Sequence, residues 1–165
     1  MKFLFGFLIL STCTLFGFLI LSTSTNVLAE SVFVTLEHDN AVAIVDPIKG
    51  KLLQTFKVGR RPRGIAISSD AKQLFIATSD DNAIEIIDST SFKKLAKLPS
   101  GDDPETFAIN PKGTMLYVSN EDDSQVTAID IAKRKVVKTI PVGVEPEGIT
   151  VSPDETWVVS ASEAT

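Results

Sequence analysis

His38 is the single histidine and Cys13 the single cysteine of this 165-residue chain. A Ser/His/Asp triad would have to use His38, and no plausible nucleophile lies near it in sequence. Gly-x-Ser-x-Gly and phosphate-binding glycine loops are absent. Cys13 falls in an apolar leader, so disulfide frameworks, cysteine zinc sites, iron–sulfur clusters and c-type haem attachment are excluded after residue 29. What remains for chemistry is charge. Carboxylates cluster at Asp80-Asp81, Asp122-Asp123, Asp102-Asp103 with Glu105, and Glu145 with Glu147, while Arg60, Arg61 and Arg63 form one basic group.

These twelve residues could form a docking rim that steers a cationic partner or holds a divalent cation. The plainer reading is solvated turns in which the arginines pair with carboxylates of adjacent units, because Asp is a standard turn residue for backbone reasons. No Asp-x-Asp-x-Asp-Gly calcium loop occurs, so no metal ligand and no catalytic residue is assigned. His38 matches Asp80 and Asp122 in position and reads as an exposed turn residue. The 21 acidic residues all lie at Glu30 or later, against 15 of the 16 basic ones. That acidic balance argues against nucleic acid, which needs a basic face.

The clusters recur because the chain repeats. Asp46, Asp88 and Asp130 are 42 residues apart, as are Gly59, Gly101 and Gly143, and Pro62, Pro104 and Pro146. Units 31–72, 73–114 and 115–156 align without a gap, and 157–165 begins a fourth. Each unit has four short β-branched and aliphatic runs separated by turn chemistry; in the second they are 64–68, 73–78, 83–88 and 92–98. Runs such as Ala83-Ile84-Glu85-Ile86 alternate apolar with polar residues, which predicts Glu85 on an outward face. The Gly-x-x-Pro loops mark passage from one four-stranded sheet to the next. Such units predict an all-β fold, a β-propeller of four-stranded antiparallel blades. Asp46, Asp88 and Asp130 end every third run and are expected to close their turns by side-chain hydrogen bonds. Trp157, next to the place matched to Val32, Leu74 and Leu116, is expected at a packed strand position.

Residues 1–29 read as an export signal, with Lys2, an apolar stretch and Val27-Leu28-Ala29 before Glu30. Residues 4–14 and 15–25 are one eleven-residue segment twice, differing only at Cys13 against Ser24. The duplication lengthens the apolar region, so an uncleaved membrane anchor is the alternative. The expected location is periplasmic or secreted, with membrane contact only if the leader is retained.

The segments VFVTLE (32–37), LFIATS (74–79) and LYVSNE (116–121) resemble the signature of the YVTN family of β-propeller repeats, which are WD40-like in build. VGRRPRGIA, PSGDDPETFAINP and VGVEPEGITVSPD resemble, within it, an exported branch encoded beside pyrroloquinoline-quinone (PQQ)-dependent alcohol oxidation. Departures are Ser69-Asp70-Ala71 in place of Pro-Asp-Gly, and Thr106 in place of a loop glycine. The resemblance implies a seven-bladed ring and a first unit that starts at its second strand; it assigns this chain no cofactor, brings PQQ by association only, and leaves a direct quinone site as a third reading. Three and a quarter units cannot close such a ring, and the sequence reads as part of a longer product or a truncated one. The expected function is a binding or accessory module whose partner is a quinoprotein dehydrogenase or a soluble electron carrier. The alternative is a lactonase-like hydrolase with a metal site at the channel mouth, where Glu105 and Glu147 would be ligands.

Overall fold

The structure, a computed structural model, describes residues 31–164; the leader, its duplication and its cleavage site lie outside them. Thirteen strands form four antiparallel sheets in chain order. The first sheet has three strands, β1 (Val32–Leu36), β2 (Ala41–Asp46) and β3 (Lys51–Lys57). The second has β4 (Pro62–Ile67), β5 (Gln73–Thr78), β6 (Ala83–Asp88) and β7 (Lys94–Pro99). The third has β8 (Pro104–Ile109), β9 (Met115–Asn120), β10 (Gln125–Asp130) and β11 (Lys135–Pro141). The fourth pairs β12 (Pro146–Val151) with β13 (Val158–Ser162). Each full sheet is a meander, β4-β5-β6-β7 or β11-β10-β9-β8, and the inner strands β4, β8 and β12 lie side by side. That is a partial β-propeller. Among the described residues no helix is long and apolar enough to cross a membrane.

The turn chemistry explains why the chain reverses where it does. Asp46 Oδ1 accepts the amides of Ile48 and Lys49 at 2.9 Å, Asp88 Oδ1 those of Thr90 and Ser91, and Asp130 Oδ1 that of Lys133. These bonds hold the Asp46 and Asp88 carboxyls below the ordinary range, and the Lys133 ammonium, followed by its amide, does so for Asp130. The expected turn-closing role is what the geometry shows. Left-handed residues recur at matched turns, including Gly50, Phe92 and Arg134, and Ala71, Gly113 and Glu155.

Ala71 stands with φ of 57° where the next unit has Gly113 at 68°. A left-handed alanine is strained by about 1–2 kcal/mol, less the backbone entropy that glycine gives up on folding. Ala71→Gly should therefore stabilise the fold by about 0.5–1 kcal/mol, read as a higher denaturation midpoint at unchanged slope. An unchanged or lower midpoint would show that this turn carries no such strain.

Stacking of sheets face to face makes the core. Phe75, Ala77, Ile84, Ile86, Leu98, Leu116, Val118 and Ile129 pack as one buried cluster between the second and third sheets. Val42, Leu74, Ile76 and Ile87 form another between the first and second, joined by Phe56 stacked on Phe92 at 4.8 Å. A middle sheet is thus covered on both faces, and this overturns two sequence expectations. Glu85 is not outward: it is 1% exposed inside β6, whose first five residues are all buried. Trp157 is not packed: it is 68% exposed just before β13, and the 42-residue spacing matches it to Gln73 and Met115; at the place of Leu74 and Leu116, which are buried, Val32 and Val158 are exposed. Equivalent positions differ because 74 and 116 have a sheet on each side, while 32 and 158 belong to the outermost described sheets. Strand bounds shift too. β4 begins at Pro62, inside the expected loop, and β7 begins at Lys94 because Phe92 takes a left-handed turn conformation.

Candidate functional site

The rim is built from two kinds of segment that reach the same end of the sheets. One is the turn between β1 and β2, between β5 and β6, or between β9 and β10, residues 37–40, 79–82 and 121–124. The other is the loop that enters the next sheet, residues 58–61, 100–103 and 142–145. Hydrogen bonds between them are repeated. The Arg60 amide donates to Asp81 Oδ2 at 2.9 Å and the Asp102 amide to Asp123 Oδ2 at 2.7 Å. The Arg61 amide donates to Asn40 Oδ1 at 2.8 Å and the Asp103 amide to Asn82 Oδ1 at 3.2 Å. Asp81 and Asp123 are therefore spent on backbone amides. The close approach leaves no room for a side chain on the loop glycine: a Cβ on Gly59 would lie 2.6 Å from Asp81 Oδ2, and one on Gly101 2.7 Å from Asp123 Oδ2.

The same position of each loop takes the αL conformation, and the first two of these residues meet across the seam. Arg61, Asp103 and Glu145 hold φ of 50°, 50° and 51°. Arg61 Nη1 donates to Asp103 Oδ1 and Oδ2 at 3.0 and 2.9 Å, across a separation of 42 residues. Arg63 pairs with Glu105 over the same separation, Nε donating to Oε2 at 2.6 Å and Nη2 closing on the same oxygen. So the basic loop of one unit neutralises the acidic loop of the next at matched positions. Both arginines also reach Glu37, Arg61 through Nε at 3.2 Å and Arg63 through Nη1 at 3.2 and 3.3 Å. Arg60 Nε is bonded to Asp81 Oδ1 at 2.8 Å.

The protonation states follow these contacts. Hydrogen bonding from Arg61 outweighs desolvation and holds the Glu37 carboxyl below its usual range. The bond to Asp103 raises Arg61 above the ordinary arginine value. Burial pushes the Glu105 carboxyl up to about 7 despite Arg63, with Asp103 and Glu121 adding to the rise. Glu105 is 3% exposed, and one oxygen each from Asp103, Glu105 and Glu121 lie within 4.8 Å of one another.

The twelve rim residues thus divide. Arg60, Arg61, Arg63, Asp81, Asp103, Glu105 and Asp123 are joined by the bonds above. Asp80, Asp102 and Asp122 stay exposed around a cavity of about 240 Å³ that Arg61, Ser79 and Asn82 also line. Asp102 takes the Asn82 amide at 2.6 Å. Glu145 lies in the last entry loop, its carbonyl accepting the Glu163 amide at 2.9 Å. Glu147 lines a second cavity of about 370 Å³ along the inner strands, with Thr35, Glu37, Arg63 and Glu105. The Glu147 carbonyl accepts the hydroxyls of Thr106 and Ser119. His38 is exposed in the turn after β1.

Sequence reasoning missed two of the charged residues that matter here. Glu37 sits at the matched position of Ser79 and Glu121, and the matched acids were the only available signal. Glu85 has no charged counterpart, since the matched residues are Ala43 and Thr127. Its Oε2 accepts the Gly59 amide at 3.1 Å and its Oε1 pairs with Lys94 Nζ. Nothing in the sequence could have marked it as buried.

Known structures share this fold. A chain of Kuenenia stuttgartiensis hydrazine synthase superposes with a TM-score of 0.74 at 20% identity, over 82% of this chain and 40% of that one. The dihydro-heme d1 dehydrogenase NirN, solved in complex with DHE, superposes with a TM-score of 0.63 at 19% identity, over 80% of this chain and 30% of that one. The chain therefore spans well under half the length of either. No curated protein matches it by sequence. The cytochrome D1 heme domain family matches residues 69–163, and its fold is an eight-bladed β-propeller, one blade more than the YVTN resemblance implied.

A family of that name implies a haem, and the described residues do not fit one. Haem iron takes an axial His, Met, Cys or Tyr. Among the described residues His38 is exposed in its turn, and neither Met115 nor Tyr117 lines a described cavity. The cavity of about 440 Å³ at the opposite end, around Asp70, Phe75 and Asn110, has only Lys112 as a basic residue, and that is bonded to Glu155 at 2.9 Å. The inner-strand cavity is walled by Glu37, Glu105 and Glu147, and its one basic residue, Arg63, is already paired with Glu37 and Glu105, which disfavours a ligand bearing carboxylates. With the family model covering more than half of the sequence, the antiparallel sheets in propeller order and two solved propeller chains superposing on them, the chain belongs to the cytochrome D1 heme domain family.

Proposed function

We propose that this chain belongs to an exported propeller that serves as a binding module, docking a cationic soluble protein on its acidic rim. The observation that carries the reading is the fate of the charges. Arg60, Arg61 and Arg63 are all engaged by Asp81, Asp103, Glu105 and Glu37, so Asp80, Asp102 and Asp122 present an acidic surface to solvent. Such a surface speeds encounter with a basic partner and does so less at high salt. The leader sequence supports the periplasm as the place. The repeat sequences support a setting beside PQQ-dependent alcohol oxidation, and the D1 likeness supports periplasmic redox chemistry more broadly. A soluble electron carrier is the partner of best-matched charge. The binding reading is preferred to a lactonase-like hydrolase because Glu147, one of the two ligands that reading needs, is not among the acids brought together with Glu105 among the described residues.

The test uses a lysine-rich c-type cytochrome as probe, titrated onto the purified chain at two ionic strengths. Reversal of Asp102 and Asp122 to lysine should weaken binding at least tenfold at low salt, with the difference shrinking as salt is raised. Binding that is unchanged by both reversals, or absent in the parent, would sink the docking surface.

A further inference from the structure

Glu105 has two oxygens with different fates. Oε2 takes both Arg63 contacts. Oε1 is sealed from solvent and makes no hydrogen bond, and the nearest cation to it is Arg61 Nη2 at 3.7 Å. A buried carboxylate oxygen without a partner is costly, so the place it occupies has to be explained. It sits among acids. Asp103, in the loop before β8, and Glu121, just after β9, each bring a carboxylate oxygen within 4.8 Å of Glu105 and of each other. The Glu121 amide donates to the Asp103 carbonyl at 2.9 Å, which ties the two segments that carry these acids. Four carboxylates, Glu37, Asp103, Glu105 and Glu121, share two guanidiniums, Arg61 and Arg63. With all four ionised, the group carries two more negative charges than positive ones.

We propose that Asp103, Glu105 and Glu121 form a site for a divalent, oxygen-seeking cation of the calcium class, seated on the third sheet where it faces the second. Calcium takes carboxylate oxygens at about 2.3–2.6 Å in irregular shells completed by water. Oxygens within 4.8 Å of one another can meet such an ion without moving the strands. The ion supplies what the cluster lacks, a partner for Glu105 Oε1 and a charge of +2. Arg61 is the competitor for the place. It already touches Glu37 and approaches Asp80 at 4.0 Å, so its guanidinium has acids to turn to when the ion enters. Asp103 lines the cavity shared with Asp80, Asp102 and Asp122, and Glu105 lines the inner-strand cavity, so two openings border the cluster.

Calorimetric titration of the chelator-treated, purified chain with calcium chloride tests this. One saturable site is expected, in the range of about 10⁻⁴–10⁻³ M common to extracellular calcium modules. Glu121→Gln should weaken it at least tenfold, and Glu155→Gln, at the opposite end of the sheets, should leave it unchanged. Arg61→Gln should tighten it about tenfold, a gain that misfolding cannot produce. No saturable heat up to about 10 mM calcium, equal losses in Glu121→Gln and Glu155→Gln, or weaker binding in Arg61→Gln would each overturn the proposal. Cytochrome docking at Asp102 and Asp122 is read separately and stands or falls without it.

Discussion

Gly64→Ala should cost about 2–3 kcal/mol of stability, although it adds one methyl group to a half-buried strand. Gly64 lies in β4 where that strand runs against β8. A Cβ there would stand 2.9 Å from the Glu105 carbonyl oxygen and 3.0 Å from Thr106 Cα, both backbone atoms that cannot swing aside. Overpacking of this kind forces the strands apart and usually costs about 1–3 kcal/mol; the upper end applies because β4 and β8 also carry the arginine–carboxylate pairs across the same seam. Gly148 is the control. It occupies the matched position on β12, yet a Cβ there meets only Ala161 Cβ at 3.5 Å, an ordinary contact. Gly148→Ala should be neutral or slightly stabilising, since alanine restricts the unfolded chain. Chemical denaturation of both variants checks the contrast, and equal effects would show that the inner strands can part without penalty.

Lys94→Met should cost about 2–3 kcal/mol for a different reason. Glu85 is buried in β6, and Lys94 on β7 is its cationic partner, with the Gly59 amide as its other contact. Taking away one member of a buried pair leaves an uncompensated charge, which costs about 3–5 kcal/mol when both partners are enclosed. Lys94 is half exposed, so solvent screens the pair and the lower figure is expected. The double variant Glu85→Gln, Lys94→Met should recover at least half of the loss, because glutamine keeps an oxygen for the Gly59 amide without a buried charge. If Lys94→Met falls within about 0.5 kcal/mol of the parent, Glu85 is held by its surroundings and not by the lysine. If the double variant is no better than the single, the loss is one of packing.

These predictions separate what local sequence specifies from what it leaves open. The strands, their antiparallel order within a sheet and the turn aspartates were legible, because each depends on a few neighbouring residues: β-branched runs, a glycine or proline break, an Asp that bonds amides two and three residues on. The rim was legible in outline. Spacing put Arg61 and Asp103, or Arg63 and Glu105, at matched positions, and matched positions share one end of the sheets. That they would pair across the seam, and that Glu37 and Glu121 would join them, required knowing how far apart neighbouring sheets stand.

What tertiary structure alone decided is burial and coverage. Glu85 alternates with isoleucines as an outward residue should, but a sheet stacked between two others has no outward face. Leu74 and Val158 hold equivalent places in the repeat, and one is enclosed at 1% while the other is 37% exposed. Gly64 and Gly148 are the same residue at the same place, and only one is pressed against a neighbouring backbone. The repeat determined which residues are equivalent. Stacking determined what each of them touches, because contact between sheets depends on neighbours dozens of residues away that a local pattern does not encode.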